Sequence, residues 1–176
     1  TCEQLSIDPQ KAITLMNDFE NVDRRMTIRL ATEKLIIIDD YAHTPKEIEF
    51  SIQAVTHRYP NWKLMICFEA HRYTRLKRDM KLFAQTLSSP LIEKLIIMPV
   101  FSAYETEEPA IFEKFKELLN ALDKSYTCIR RPEDIVQQII SRETADTVLL
   151  MIGAGKSSEF SKKVSAICTQ KELFFT

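Results

Sequence analysis

Glycine is nearly missing from this sequence. Its 176 residues include two, Gly153 and Gly155, both in one turn. A phosphate-cradling P-loop has the form Gly-x-x-x-x-Gly-Lys-Ser/Thr. The one Gly-Lys pair, Gly155-Lys156 before Ser157, has no glycine five residues ahead of it, so the chain lacks this cradle for a nucleotide triphosphate. Cysteine is sparse too. Cys2, Cys67, Cys128 and Cys168 lie far apart with no Cys-x-x-Cys pair. That argues against a zinc site or disulfide framework and for a reducing compartment. Cys67 and Cys128 are expected as small buried residues within strands. Neither sign of charge dominates: 24 Lys and Arg face 25 Asp and Glu, a net charge of −1, which gives no reason to expect nucleic acid or a membrane surface as partner. No apolar run is long enough to span a bilayer, and Thr1 opens no signal peptide. The absent P-loop and the missing initiator methionine together suggest a piece of a longer protein.

The chain does have the content of one soluble domain, 45% apolar and 28% charged. Residues 1 to 21 read as a short helical lead-in started by Asp8-Pro9. Met26 to Ala31 and Lys34 to Ile38 read as two strands joined tightly through Thr32-Glu33. Strand and helix then alternate. The Thr44-Pro45 helix is followed by strand Lys63 to Phe68, helix Thr74 to Leu87 and strand Leu95 to Val100. Helix Glu107 to Leu122, strand Tyr126 to Ile129 and helix Pro132 to Ile140 come next. Strand Thr147 to Ile152, helix Ser157 to Cys168 and a short strand Leu173 to Phe175 close the chain. Repeated βα units predict a Rossmann-like α/β fold: a mostly parallel sheet with one antiparallel edge strand and helices on both faces.

In such a sheet, chemistry collects in the loops after the strands. The first loop is Asp39-Asp-Tyr-Ala-His-Thr-Pro45. Leu35 to Ile38 suit a strand buried on both faces, and Thr44, Pro45 and Glu47 form a capping box that starts a helix. Two carboxylates and an imidazole in the turn between them are a candidate site, although Asp-Asp after a strand is also plain turn chemistry. The second loop, Glu69-Ala-His-Arg-Tyr-Thr-Arg75, puts His71, Arg72 and Arg75 near a helix N-terminus, where cations oppose the macrodipole. Guanidinium forks there suit an anion such as a carboxylate or phosphate; a solvated basic face is the alternative. In the third loop Glu105 is a candidate to receive an ammonium group, and Glu107 and Glu108 read as helix caps. In the fourth, Gly153-Ala-Gly-Lys-Ser157, glycines let backbone amides approach an anion, though a tight turn serves as well. Arg24-Arg25 stand at the entry to the sheet, as surface charge or as reach toward a nucleotide.

Taken together, Asp39-Asp-Tyr-Ala-His-Thr-Pro45, His71-Arg-Tyr-Thr-Arg75, Gly153-Ala-Gly155 and Arg24-Arg-Met26 resemble the C-terminal domain of the Mur ligases. His-Arg-Tyr-Thr-Arg is most like the members that join L-alanine to UDP-N-acetylmuramate. The resemblance implies a cytoplasmic ligase of peptidoglycan precursor synthesis that uses ATP and Mg2+ to activate a carboxylate as an acyl phosphate. It implies that Arg25 and Asp40 contact ATP, with Asp39 and His43 beside them. His71, Arg72 and Arg75 would hold the incoming amino acid's carboxylate and orient its amine. Residues 1–22 would be the tail of a central ATPase domain and a hinge, and 23–176 the amino-acid-binding domain. No residue here need be a nucleophile, and the domain alone is expected to be inert. Four positions depart from the alanine-adding pattern: Thr44, Pro99, Tyr104 and Lys156. They leave open a relative with a different amino-acid or peptide substrate, or a stand-alone binding domain that has lost catalysis.

Overall fold

The structure, a computed structural model, describes residues 8, 10, 11, 23–140 and 146–171. Six strands form one sheet: β1 (Thr27–Ala31), β2 (Leu35–Asp40), β3 (Lys63–His71), β4 (Ile92–Phe101), β5 (Tyr126–Cys128) and β6 (Thr147–Ile152), in the order β1-β2-β6-β3-β4-β5. Only the edge pair β1–β2 is antiparallel; β2–β6, β6–β3, β3–β4 and β4–β5 run parallel. Every residue of β2 and of β6 is buried, as continuous apolar strands covered on both faces should be.

The helices are α1 (Pro45–Arg58), α2 (Tyr73–Leu87), α3 (Pro109–Ala121), α4 (Pro132–Ile140) and α5 (Ser157–Gln170). They divide between the faces because strand side chains alternate. Ile36, Ile38, Ile66 and Leu150 point toward α1, α2 and α3, where Ile48, Ile52, Leu76, Phe83 and Phe115 complete one core. Leu35, Ile37, Cys67, Leu149 and Met151 point the other way, toward Ile135 and Ile139 of α4 and Val164 of α5. The expected capping box starts α1: Thr44 Oγ1 accepts from the Glu47 amide at 3.4 Å, and Glu47 Oε2 accepts from the Thr44 amide at 3.0 Å.

Two strand ends differ from the sequence reading in ways that matter. β2 extends to Asp40 and β3 to His71, so Asp39, Asp40, Glu69 and His71 are strand residues at the rim rather than loop residues. Polar side chains ended the apolar pattern before the ladder itself ended. Cys67 is buried in β3 as expected, but Cys128 closes the short edge strand β5 and is exposed. The lead-in helix, apart from residues 8, 10 and 11, and the strand expected at Leu173 to Phe175 lie outside the described residues. Among the described residues no helix is long and apolar enough to cross a membrane.

Candidate functional site

Parallel strands align their carboxyl ends, and a row of rings runs along that rim. His43 follows β2 and His71 ends β3, yet their rings approach to 6.0 Å, edge to face, although β6 separates their strands. Tyr41 lies 5.2 Å from His43, and Phe101 of β4 lies 5.6 Å from His71. His43 Nδ1 sits 2.9 Å from the Tyr41 carbonyl, to which it can only donate, and 3.4 Å from Glu47 Oε2. Arg75 Nη1 lies 3.2 Å from His71 Nδ1. A guanidinium only donates, so His71 Nδ1 accepts and its proton belongs on Nε2. Burial, then the charges of Arg75 and Arg72, hold the His71 imidazole below its usual range, which keeps it neutral.

Arg72 takes a left-handed backbone, φ +73°, and its amide donates to Phe101 O at 2.8 Å. That bond ties the ends of β3 and β4 together and turns the exposed Arg72 side chain out over the rim. Arg72 occupies the N-cap position of α2 without capping it through its side chain. Glu105 does so instead. Its carboxylate accepts from the Thr74 amide at 3.1 Å and from the Thr74 hydroxyl, and the Thr74 hydroxyl above all holds it below the usual carboxylate range. Glu105 thus caps α2 from another loop, its carboxylate standing at the positive start of that helix.

The paired arginines divide. Arg24 reaches inward, with φ +66° and Nη2 donating to Gly153 O at 2.8 Å. The guanidinium carbons of Arg24 and Arg25 lie 4.8 and 5.2 Å from the Tyr41 ring centre, within cation–π range. Arg25 is exposed at the rim. The adjacent carboxylates divide as well, because neighbours on a strand face opposite ways. Asp40 turns toward α1 and accepts from the Ser51 hydroxyl. Asp39 turns toward α5, wholly buried. Asp39 Oδ2 accepts from Arg29 Nε and Nη2, at 3.2 and 2.7 Å, and from Ser158 Oγ at 2.6 Å. Asp39 is thus paired with Arg29 and Ser158, and withdrawing it would strip a buried carboxylate of its cation. Among the described residues no group of three or more His, Cys, Asp and Glu is arranged to hold a metal ion.

The Gly153–Ser157 turn does bind an anion, one the chain supplies itself. Glu69 Oε2 accepts from the Gly155 and Ser157 amides, each at 3.1 Å, and Oε1 accepts from the Lys156 amide at 3.0 Å. Burial pushes the Glu69 carboxyl up; the three amides and Arg24 oppose that. A Cβ on Gly155 would stand 2.4 Å from Phe101 Cγ and 2.7 Å from Glu69 Oε2, so only glycine fits there. The sequence reading missed Glu69 as the turn's ligand. Its signal was an acid directly after the apolar run Leu64 to Phe68.

Beyond Phe101 the rim opens into a cleft of about 460 Å3 lined by Pro99, Ser102, Glu107, Arg130 and Lys156. Two of the four departures line it. Thr44 caps α1, and Tyr104 is fully exposed with φ +77°, a backbone that favours glycine.

A family model described as "Mur ligase, glutamate ligase domain" matches residues 24–155. The chain belongs to the Mur ligase C-terminal domain family. It is 31% identical over 165 residues to the UDP-N-acetylmuramate–L-alanine ligase of Thermotoga neapolitana, covering 92% of this chain and 35% of that protein. Against the enzyme of the same description from Thermotoga maritima the identity is 32% over 157 residues, 87% of this chain and 33% of that one. The chain thus spans about a third of the length of the curated relatives it matches. Among solved structures, the UDP-N-acetylmuramate–alanine ligase of Thermotoga maritima superposes with a TM-score of 0.75 at 23% identity, over 97% of this chain and 35% of that one. A murein peptide ligase from Psychrobacter arcticus superposes with a TM-score of 0.65 at 16% identity, over 88% and 32%. These likenesses show that the six-stranded fold is the Mur ligase C-terminal fold.

Proposed function

We propose that this domain serves an ATP-dependent ligase that joins an amino acid, L-alanine first among candidates, to UDP-N-acetylmuramate in peptidoglycan precursor synthesis. One observation carries the reading: on one rim of a Mur ligase domain, a neutral His71 stands between His43 and the guanidinium of Arg75, with Arg72 alongside. In this reading Arg72 and Arg75 fix the amino acid's carboxylate, and His71 sets the Arg75 fork. Arg25, Asp40 and His43 form the side turned to ATP. Asp40 acts from behind, holding the start of α1 through Ser51, because it is buried. ATP, with Mg2+ held by another domain, supplies activation of the sugar's carboxylate as an acyl phosphate. This domain supplies position, and well-oriented reactants gain several kcal/mol of barrier reduction. Residues 1–22 are the tail of the central domain and the hinge; the family match from residue 24 supports that boundary. The relatives named for L-alanine ligation support the substrate, and the departures at Pro99 and Lys156 are where a different one would be selected.

In the full-length enzyme, Arg72→Ala and Arg75→Ala should each raise KM for the amino acid by about tenfold to a hundredfold and leave ATP binding unchanged. A charge-assisted hydrogen bond is worth about 1.5–3 kcal/mol. Unaltered amino-acid kinetics would remove both arginines from the site. A panel of amino acids and short peptides assayed on that enzyme decides the substrate. The purified 176-residue chain should turn over no ATP, since it lacks a P-loop; measurable turnover would refute the division of labour.

A further inference from the structure

Away from the rim, α2 and α3 pack side by side and leave a groove of about 580 Å3 between their outer faces. Its floor is apolar. Met80 and Leu118 are partly buried against the core, and Leu82 is 55% exposed. On α3, Lys114, Glu117, Leu118 and Ala121 line it, at the i, i+3, i+4, i+7 spacing of a single helix face. Its walls are basic. Arg78 is engaged by Asp79 at 2.6 Å, but the exposed Lys77, Lys81 and Lys114 enter no ion pair among the described residues. The lining thus sets four cations against two acids, Asp79 and Glu117, with Asp79 already taken by Arg78, in a chain whose net charge is −1. Beside the groove α2 leaves helical geometry at Asp79, with φ −108° and ψ 17°.

We infer that this groove is a docking surface for an acidic amphipathic helix of a partner protein. An apolar floor between cationic walls matches a helix with an apolar stripe flanked by carboxylates. Burial of the stripe supplies affinity, and the lysines supply steering and register. A bare polyanion would leave the floor uncovered, and a purely apolar segment would leave the lysines without counter-charges.

The test uses the full chain and a fluorescein-labelled synthetic helix with leucines at i, i+3, i+4 and i+7 and glutamates elsewhere. Controls are the same composition scrambled and a polyglutamate peptide. By fluorescence polarisation the amphipathic probe should bind at least about tenfold more tightly than either control. Leu82→Glu should weaken it about tenfold. The combined Lys77→Glu, Lys81→Glu and Lys114→Glu variant should do likewise and abolish the salt dependence. All four side chains are exposed, so these variants should fold, and circular dichroism checks that they do. Should Leu82→Glu fail to fold, the lysine variant carries the decision. Failure of the probe to bind overturns the proposal. So does equal binding of scrambled peptide or polyglutamate, which would reveal only a general attraction for anions. Probe binding that neither variant alters would place the probe elsewhere and overturn it too.

Discussion

His71 illustrates how a single imidazole becomes committed to one protonation state. Arg75 donates to it, burial penalises its charge, and Arg72 and His43 add like charge when protonated. Its folded pKa therefore lies below the usual 6.5 of an unfolded histidine. The sign follows: the unfolded chain binds the proton more readily, so this group's contribution is fully present above pH 6.5 and is lost as pH falls from there through the folded value. Denaturant unfolding of the wild type should lose stability relative to His71→Asn as the pH drops below 6.5. Parallel pH curves for the two proteins would show that the imidazole is not constrained in this way. The residues that carry the proposed role were legible as residue types, since histidine and arginine at a helix start conflict with its dipole and call for a reason. Their side-chain directions were not. Asp39 and Asp40 are adjacent in sequence and face opposite layers of the molecule, a consequence of strand alternation that appears once both are seen to belong to β2.

At the scale of elements, helix starts show the limit of local reading. The α1 start was readable because the cap and its partner lie three residues apart, Thr44 and Glu47. The α2 and α5 starts were read too, at Thr74 and Ser157, but the acids that meet them were not, because they come from elsewhere in the chain: Glu105 for α2, Glu69 of β3 for α5. A sequence window holds no trace of a partner that tertiary packing delivers across 86 to 88 positions, as at Gly155 to Ser157. Glu69→Ala should leave three amides without their acceptor and lower stability by about 3 kcal/mol, measured as a shift of the denaturant midpoint at constant slope. Glu69→Gln retains an acceptor and should cost less. If Glu69→Ala were neutral, the turn would owe its shape to the glycines alone.

For the molecule as a whole, the order β1-β2-β6-β3-β4-β5 puts β6 at the centre although it comes last in sequence among the described strands. Strand periodicity revealed which segments are strands and that the sheet is mostly parallel; it held no information on order, which only long-range pairing decides. Amide hydrogen exchange should follow that order. Leu149, Ile37 and Ile66, in β6, β2 and β3, should exchange at the rate of global unfolding, with edge residues such as Thr127 of β5 faster. Slower exchange at Thr127 than at Leu149 would contradict the central place of β6. The carboxylate seated in the last βα turn has one more implication. Because it is tethered to β3, its local concentration is fixed by the fold and no dissolved phosphate or sulfate can outcompete it. That helix start carries a built-in counterion, so its amides are already spoken for and should bind no added phosphate or sulfate.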